Sequence, residues 1–165
     1  MKKLSVFIAA SAALLLCGAE ELRNHVTGQF ELIKAGKNII TRRDDVVTVT
    51  LVQKINSGGA REIFHLNQSK PTAIEFGAES KLDKDLDGKA GVDYCVYVDL
   101  TYSDGSRTYQ LIAPFSVTAH DWELKSRRFV PKKPIKTVVF YLLHRNRSAG
   151  PVKFRSAFLR EIPEK

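Results

Sequence analysis

Tyr97 and Asp99 stand two residues apart in the run Asp93-Tyr-Cys-Val-Tyr-Val-Asp-Leu-Thr-Tyr. Tyr141 and Arg145 stand four apart in Thr137-Val-Val-Phe-Tyr-Leu-Leu-His-Arg. Together the four supply what a sugar asks of a protein. Aromatic faces cover the C–H patches of a sugar ring, while phenol, carboxylate and guanidinium groups fix its hydroxyls by hydrogen bonds. A partly exposed sheet with ordinary strand tyrosines accounts for the same spacing, so the two readings stand side by side here.

For these side chains to meet, two strands must turn the right faces outward. The first run alternates up to Asp104-Gly105 and resumes with Arg107-Thr-Tyr-Gln-Leu-Ile, which predicts a β-hairpin with a tight turn at the Asp-Gly pair. Alternation puts Tyr94, Val96, Val98 and Leu100 on one face, toward a core. Cys95, Tyr97, Asp99 and Thr101 fall on the other, with Cys95 read as a small half-buried residue. In the second run either Val138, Phe140 and Leu142 or Val139, Tyr141 and Leu143 face the core. The first set is favoured, because it frees the Tyr141 hydroxyl and Arg145 from burial without partners. Tyr97, Asp99, Tyr141 and Arg145 then line one open sheet face.

Other constellations are weaker. Asp83, Asp85 and Asp87 before Gly88 resemble the opening of a calcium loop, but Tyr94 stands where the closing bidentate glutamate belongs and no helices flank it. The run reads as a solvated acidic turn, with weak calcium binding as the alternative. His25, His65, His120 and His144 are scattered, and no nucleophile elbow accompanies them. Asp99 and Asp121 could be nominated as a glycosidase pair, yet so could any two acids in such a chain. Trp122 reads as core or edge packing. The expectation is a non-catalytic protein.

Runs rich in β-branched and aromatic residues recur along the chain, separated by Gly, Pro, Asn and Asp. They predict eight to ten short strands, beginning with His25–Leu32 and ending with separate pieces at 152–154 and 157–162. No sustained helical period follows residue 20. The fold class is all-β, an antiparallel sandwich or jelly roll.

Lys2 and Lys3 precede an apolar run from Leu4 to Leu16 and the small residues near Ala19, the pattern of a secretory signal peptide over residues 1–19. The run is too short for a membrane span. A second reading lipidates Cys17 and anchors the protein in an outer membrane, but Leu16 fills a place where a small residue is usual. Residues 20–165 then form one domain, secreted or periplasmic, with Cys95 its only cysteine and no transmembrane segment. Removing Lys2 and Lys3 from 26 basic residues leaves 24 against 18 acids, a net charge of +6. From Glu123 to Lys165 there are twelve Lys or Arg against three Glu, so the charge is concentrated in the C-terminal third. That suggests an alternative function, a structural or adhesive envelope protein that binds polyanions or a protein partner through this basic segment. Export disfavours nucleic acid.

From about Arg61 to Ile162 the chain resembles carbohydrate-binding modules of the galactose-binding-like β-sandwich kind, found appended to secreted bacterial glycosidases and polysaccharide lyases. The segments that carry the resemblance include His65-Leu-Asn-Gln-Ser-Lys-Pro, the hairpin run from Asp93, Ala113-Pro-Phe and Thr118-Ala-His-Asp-Trp-Glu. Pro131-Lys-Lys-Pro-Ile-Lys, Val139-Phe-Tyr-Leu-Leu-His-Arg and Gly150-Pro-Val-Lys-Phe continue it, and Gly28-Gln-Phe-Glu resembles the first strand. The resemblance implies a jelly-roll fold and a polysaccharide or glycoconjugate as partner. It also implies a structural calcium held by paired aspartates after the last strand's phenylalanine and by a first-strand acid. Here Arg155-Ser156 stand at the paired position, with Glu31 left for the first-strand role, so the metal site should be lost or weakened. Cys95 and Lys153 also depart from the usual types.

Overall fold

The computed structural model describes residues 22–33, 39–52, 58–146 and 150–163. The predicted signal segment, with Cys17 and the cut after Ala19, lies outside them. Among the described residues no helix is long and apolar enough to cross a membrane.

Among the described residues ten strands run in chain order: β1 Glu31–Leu32, β2 Ile39–Arg43, β3 Val46–Leu51, β4 Gly59–His65, β5 Ala73–Leu82, β6 Tyr94–Tyr102, β7 Arg107–Pro114, β8 His120–Phe129, β9 Ile135–His144 and β10 Gly150–Ile162. They form two five-stranded sheets, ordered β1-β4-β9-β6-β7 and β2-β3-β10-β5-β8. Every strand pair is antiparallel. The predicted all-β sandwich is the fold observed.

Alternation decides which side chains meet between the sheets. Tyr94, Val96, Val98 and Leu100 of β6 and Val138, Phe140 and Leu142 of β9 are all buried, and they pack against Val49, Phe76, Val152, Phe154 and Leu159 of the second sheet. Each such side chain contributes about 1.5–3 kcal/mol on burial. The core holds one polar knot. The Tyr94 and Ser80 hydroxyls bond each other, and Ser80 also donates to the Lys153 carbonyl at 3.0 Å. A phenol cannot be buried without a partner at acceptable cost, and Ser80 supplies it.

Four local expectations need correction. The hairpin turn is longer than an Asp-Gly pair alone. Only Gly105 takes positive φ, at 83°, while the Asp104 carboxylate accepts from the Ser106 N–H at 3.0 Å and from Lys133 Nζ at 2.7 Å. The four-residue loop is closed by the Tyr102 N–H on the Ser106 carbonyl at 2.8 Å and the Gly105 N–H on the Tyr102 carbonyl at 3.0 Å. The Asp104 side-chain bonds add to these, and two left-handed residues are not needed. The first strand shrinks to Glu31–Leu32, because residues 25–30 spend their polar groups elsewhere. Glu62, nearly buried, accepts from the backbone of Thr27 and Gly28, and the His25 N–H donates to the Leu159 carbonyl. The two last pieces are one strand, β10, bent at a bulge where Ser156 sits at φ 50°. Cys95 is fully buried rather than half-buried, because its outer-face neighbours Leu143 and Pro114 flank it and its Sγ lies 3.4 Å from the Val92 carbonyl.

Candidate functional site

The register of the first sheet lays its outward side chains out in rows across β4, β9, β6 and β7. One row reads Arg61, Tyr141, Tyr97, Ile112, since Arg61 pairs with Tyr141, Tyr141 with Tyr97, and Tyr97 with Ile112. The next runs from Ile63 through Val139 to Asp99. A third holds His65, Thr137, Thr101 and Arg107. The pairing of β6 with β9 therefore sets Tyr97 directly opposite Tyr141, with Asp99 one step along the same face.

Tyr97, Asp99, Tyr141 and Arg145 line a single open concavity of about 260 Å³, with Ile33, Gly58 and Leu143 completing its wall. The two tyrosine rings meet edge to face at 5.4 Å and 83°, the arrangement their quadrupoles favour. Arg145 is held at the rim. Its Nε lies 3.2 Å from Asp93 Oδ1, its backbone N–H donates to the Asp93 carbonyl at 3.0 Å, and Asn146 bonds the same carboxylate. Burial, and then the Asp99 carboxylate beside it, push the Tyr97 phenol up to about 12. Tyr141 is raised by the same two causes in the same order. Both hydroxyls are neutral donors at physiological pH. The Arg145 and Arg61 charges are each met by an acid, Asp93 and Glu31. The site thus offers two aromatic rings, the Tyr141 phenol, and an Asp99 carboxylate that already engages the Tyr97 hydroxyl and the Gln110 N–H, with little excess charge.

Asp99 also has a backbone partner. Its Oδ1 accepts the Gln110 N–H at 3.1 Å, and Gln110 sits at φ 65° in a β-bulge where β7 gains a residue on β6. That bulge places Tyr109, which sequence reasoning did not nominate. Strict alternation from the buried Leu111 would send Tyr109 into the core, whereas the extra residue turns it outward, 57% exposed and beside Asp99. The signal that could have found it is the mismatch between the apolar Leu111–Ala113 phase and the Thr108 phase across the turn.

The remaining candidates are dispersed. Asp121 lies on β8 in the second sheet, bonded to Lys81 at 2.8 Å, and shares no site with Asp99. Trp122 is roofed by the Arg155 guanidinium, 4.0 Å above its ring. Asp83 bonds Lys153 and Asp85 accepts the Ala119 N–H, so these two carboxylates of the acidic turn point to different partners. A larger concavity of about 520 Å³ runs from that turn to Gly150 and Pro151, but no aromatic ring lines it. His120 and His144 flank the Tyr94 ring at 6.3 and 6.2 Å, while His25 pairs with Glu161 and His65 lies near Thr137.

The residues do not fit the structural calcium that the resemblance implies. Arg155 bonds Glu79 through two nitrogens, and Ser156 donates to the same carboxylate. Glu31 belongs to the other sheet and faces Arg61 at 3.4 Å. Beside Gly28 the charged group is Arg42, which donates to the Gly28 carbonyl at 2.9 Å. Among the described residues no three His, Cys, Asp or Glu are grouped to hold a metal.

No family model and no curated protein matches the sequence. Solved structures do match. The CBM22-1 xylan-binding domain of Paenibacillus barcinonensis Xyn10C superposes with a TM-score of 0.58 at 14% identity, covering 84% of this chain and 89% of that one. The fold is the β-sandwich that this carbohydrate-binding module also has. A CBM4 structure matches at TM-score 0.52 and 12% identity, over 81% of this chain and 78% of that one. The CBM22-1–GH10 modules of the Clostridium thermocellum xylanase Xyn10B, determined with xylohexaose, match at TM-score 0.56 and 13% identity. There the similarity covers 80% of this chain and only 26% of the longer one. At these identities the likeness speaks for the fold, and the function must be argued from the site.

Proposed function

We propose that this protein is an exported, non-catalytic glycan-binding module that holds a neutral polysaccharide on the outer face of the first sheet. One observation carries the reading: Tyr97 and Tyr141 stand side by side in an open concavity with Asp99 and Arg145 at its wall. The rings supply apolar faces for sugar C–H groups, and the phenols, carboxylate and guanidinium supply directional bonds for hydroxyls. The carbohydrate-binding-module fold supports it. No step of bond breaking is assigned, because Asp99 is committed to a bulge and, among the described residues, no second carboxylate lines its concavity.

The polyanion reading has less support in three dimensions than in sequence. Lys125, Lys133, Arg145, Lys153 and Arg155 are each paired with a carboxylate, four of them with acids that precede residue 123. Antiparallel pairing brings the basic third of the chain against its acidic middle. Calorimetric titration with neutral and acidic polysaccharides at low and high salt separates the two readings. Glycan binding on this face should change little with salt, whereas polyanion binding should fall steeply as charges are screened. Binding only to acidic polymers, lost at high salt, would contradict the proposal.

A further inference from the structure

The outer face of the first sheet carries an exposed aromatic that lies outside the concavity. Tyr109 stands on the edge strand β7, 57% exposed, with its hydroxyl 3.1 Å from Arg107 Nη1. Its outward position depends on the bulge, since Thr108 pairs inward with Leu100 and Leu111 pairs inward with Val98, leaving two residues opposite Asp99. Gln110 takes up the strain at φ 65°, and the Asp99 carboxylate accepts its N–H. A β-bulge that re-aims a side chain beside a site is a recurrent device of sheets.

Tyr109 lies diagonally across the β6–β7 pair from Tyr97, beyond the bulge and opposite Asp99. Continuing away from it, Asp99, Val139 and the exposed Ile63 extend the same row across the sheet. The concavity itself, about 260 Å³, falls below the roughly 300–1,000 Å³ of sites that enclose a drug-sized ligand. It suits one or two sugar units, and a longer chain must lie on what surrounds it. Building on the proposed function, we infer that Tyr109 is a second sugar platform, so that this face reads a chain of several sugar units. Asp99 is a positioning residue for that platform, because it holds the bulge that presents the ring.

The test titrates xylotriose and xylohexaose, and the matching cello-oligosaccharides, against the parent protein and its Tyr109, Asp99 and Tyr141 variants by calorimetry. Tyr109→Ala should weaken hexaose binding on the order of tenfold while leaving the triose within about twofold. Tyr109→Phe should keep the preference for the longer chain, because the ring rather than the hydroxyl makes the contact. Asp99→Asn, which retains an acceptor for Gln110, should also keep it. In an Asp99→Ala background, Tyr109→Ala should remove no further hexaose advantage, since the two act through one feature. Equal losses for triose and hexaose in Tyr109→Ala, or none, would overturn the inference. Asp99→Ala and Tyr109→Ala effects that simply add would overturn the positioning role. Tyr141→Ala serves as the control for the underlying reading: loss of both oligosaccharides there, with Tyr109→Ala silent, would leave the concavity standing and the platform refuted. A parent protein that binds none of these sugars would overturn both.

Discussion

The two sheets turn very different faces to solvent, although each carries aromatic side chains. On the second sheet Arg155 lies over Trp122 at 4.0 Å, and the Phe158 ring covers Gly77, with Arg160 4.7 Å above that ring. Around them Lys153–Asp83, Lys81–Asp121 and Arg155–Glu79 form a network of ion pairs. The two outer-face rings described there, Trp122 and Phe158, each lie under a cation of their own chain. On the first sheet Tyr97 and Tyr141 contact each other, Tyr109 and Ile63 are exposed, and the nearby guanidiniums are held by acids at the rim. Aromatic content alone does not mark a binding face. What distinguishes the first sheet is an edge-to-face pair of rings lining an open concavity, with no cation stacked on them among the described residues.

The sharpest way to break this contrast is to truncate one ring on each face. Tyr141→Ala should cost about 2–4 kcal/mol of binding to a neutral polysaccharide, enough to abolish measurable affinity for a weak ligand. The melting temperature should show the fold intact. Trp122→Ala should leave affinity within about twofold, because its ring is already occupied by Arg155. Equal losses from the two substitutions would erase the distinction between the faces.

Gly77→Ala tests whether the second face is sealed as described. A Cβ there would stand 2.5 Å from the Lys125 carbonyl and 2.9 Å from the Phe158 ring. Overpacking of this kind costs about 1–3 kcal/mol, and denaturant unfolding should register it as a lower midpoint. Glycan affinity, measured below the unfolding transition, should be unchanged.

Titration sharpens the same comparison with smaller effects. Glu79, Asp83 and Asp121 on the second face lie below the ordinary carboxylate range, chiefly through hydrogen bonds from Arg155, Lys153 and Lys81. Their folded values sit below the unfolded ones, so their stabilisation is complete above about pH 4 and is lost as pH falls through the folded values. The melting temperature should drop in that acid range. Tyr97 runs the other way. With its phenol raised to about 12, its contribution is full below about pH 10 and is lost as pH rises toward the folded value. Glycan binding should therefore be flat between about pH 6 and 9, where neither set titrates.

Much of this arrangement was legible in the residues. The alternation of β6 gave its core face directly, while in β9 both faces are largely apolar and the cost of burying the Tyr141 hydroxyl and Arg145 decided between them. With those faces assigned, Tyr97, Asp99, Tyr141 and Arg145 fell on one side, and the sheet order then made Tyr97 and Tyr141 direct neighbours. That adjacency could not be read from the chain, since nothing local to β9 says that it pairs with β6 and β4. Tyr109 was hidden for a different reason. A bulge changes the phase of a strand midway, and Gln110 is not a residue whose type announces a left-handed conformation. Asp99 looked like a free acceptor because its backbone partner is eleven residues away across the turn. Lys133, Arg145, Lys153 and Arg155 looked unpaired because their acids are distant in sequence and adjacent only in the sheets.

Isotope-edited NMR during titration with xylohexaose, or with another neutral oligosaccharide the protein binds, tests the central claim most directly. Signals of Tyr97, Tyr141, Val139 and the Gln110 amide should shift with a common saturation curve, while the Trp122 indole and Leu124 stay in place. Shifts confined to Trp122, Leu124 and their neighbours on the second sheet would contradict the account.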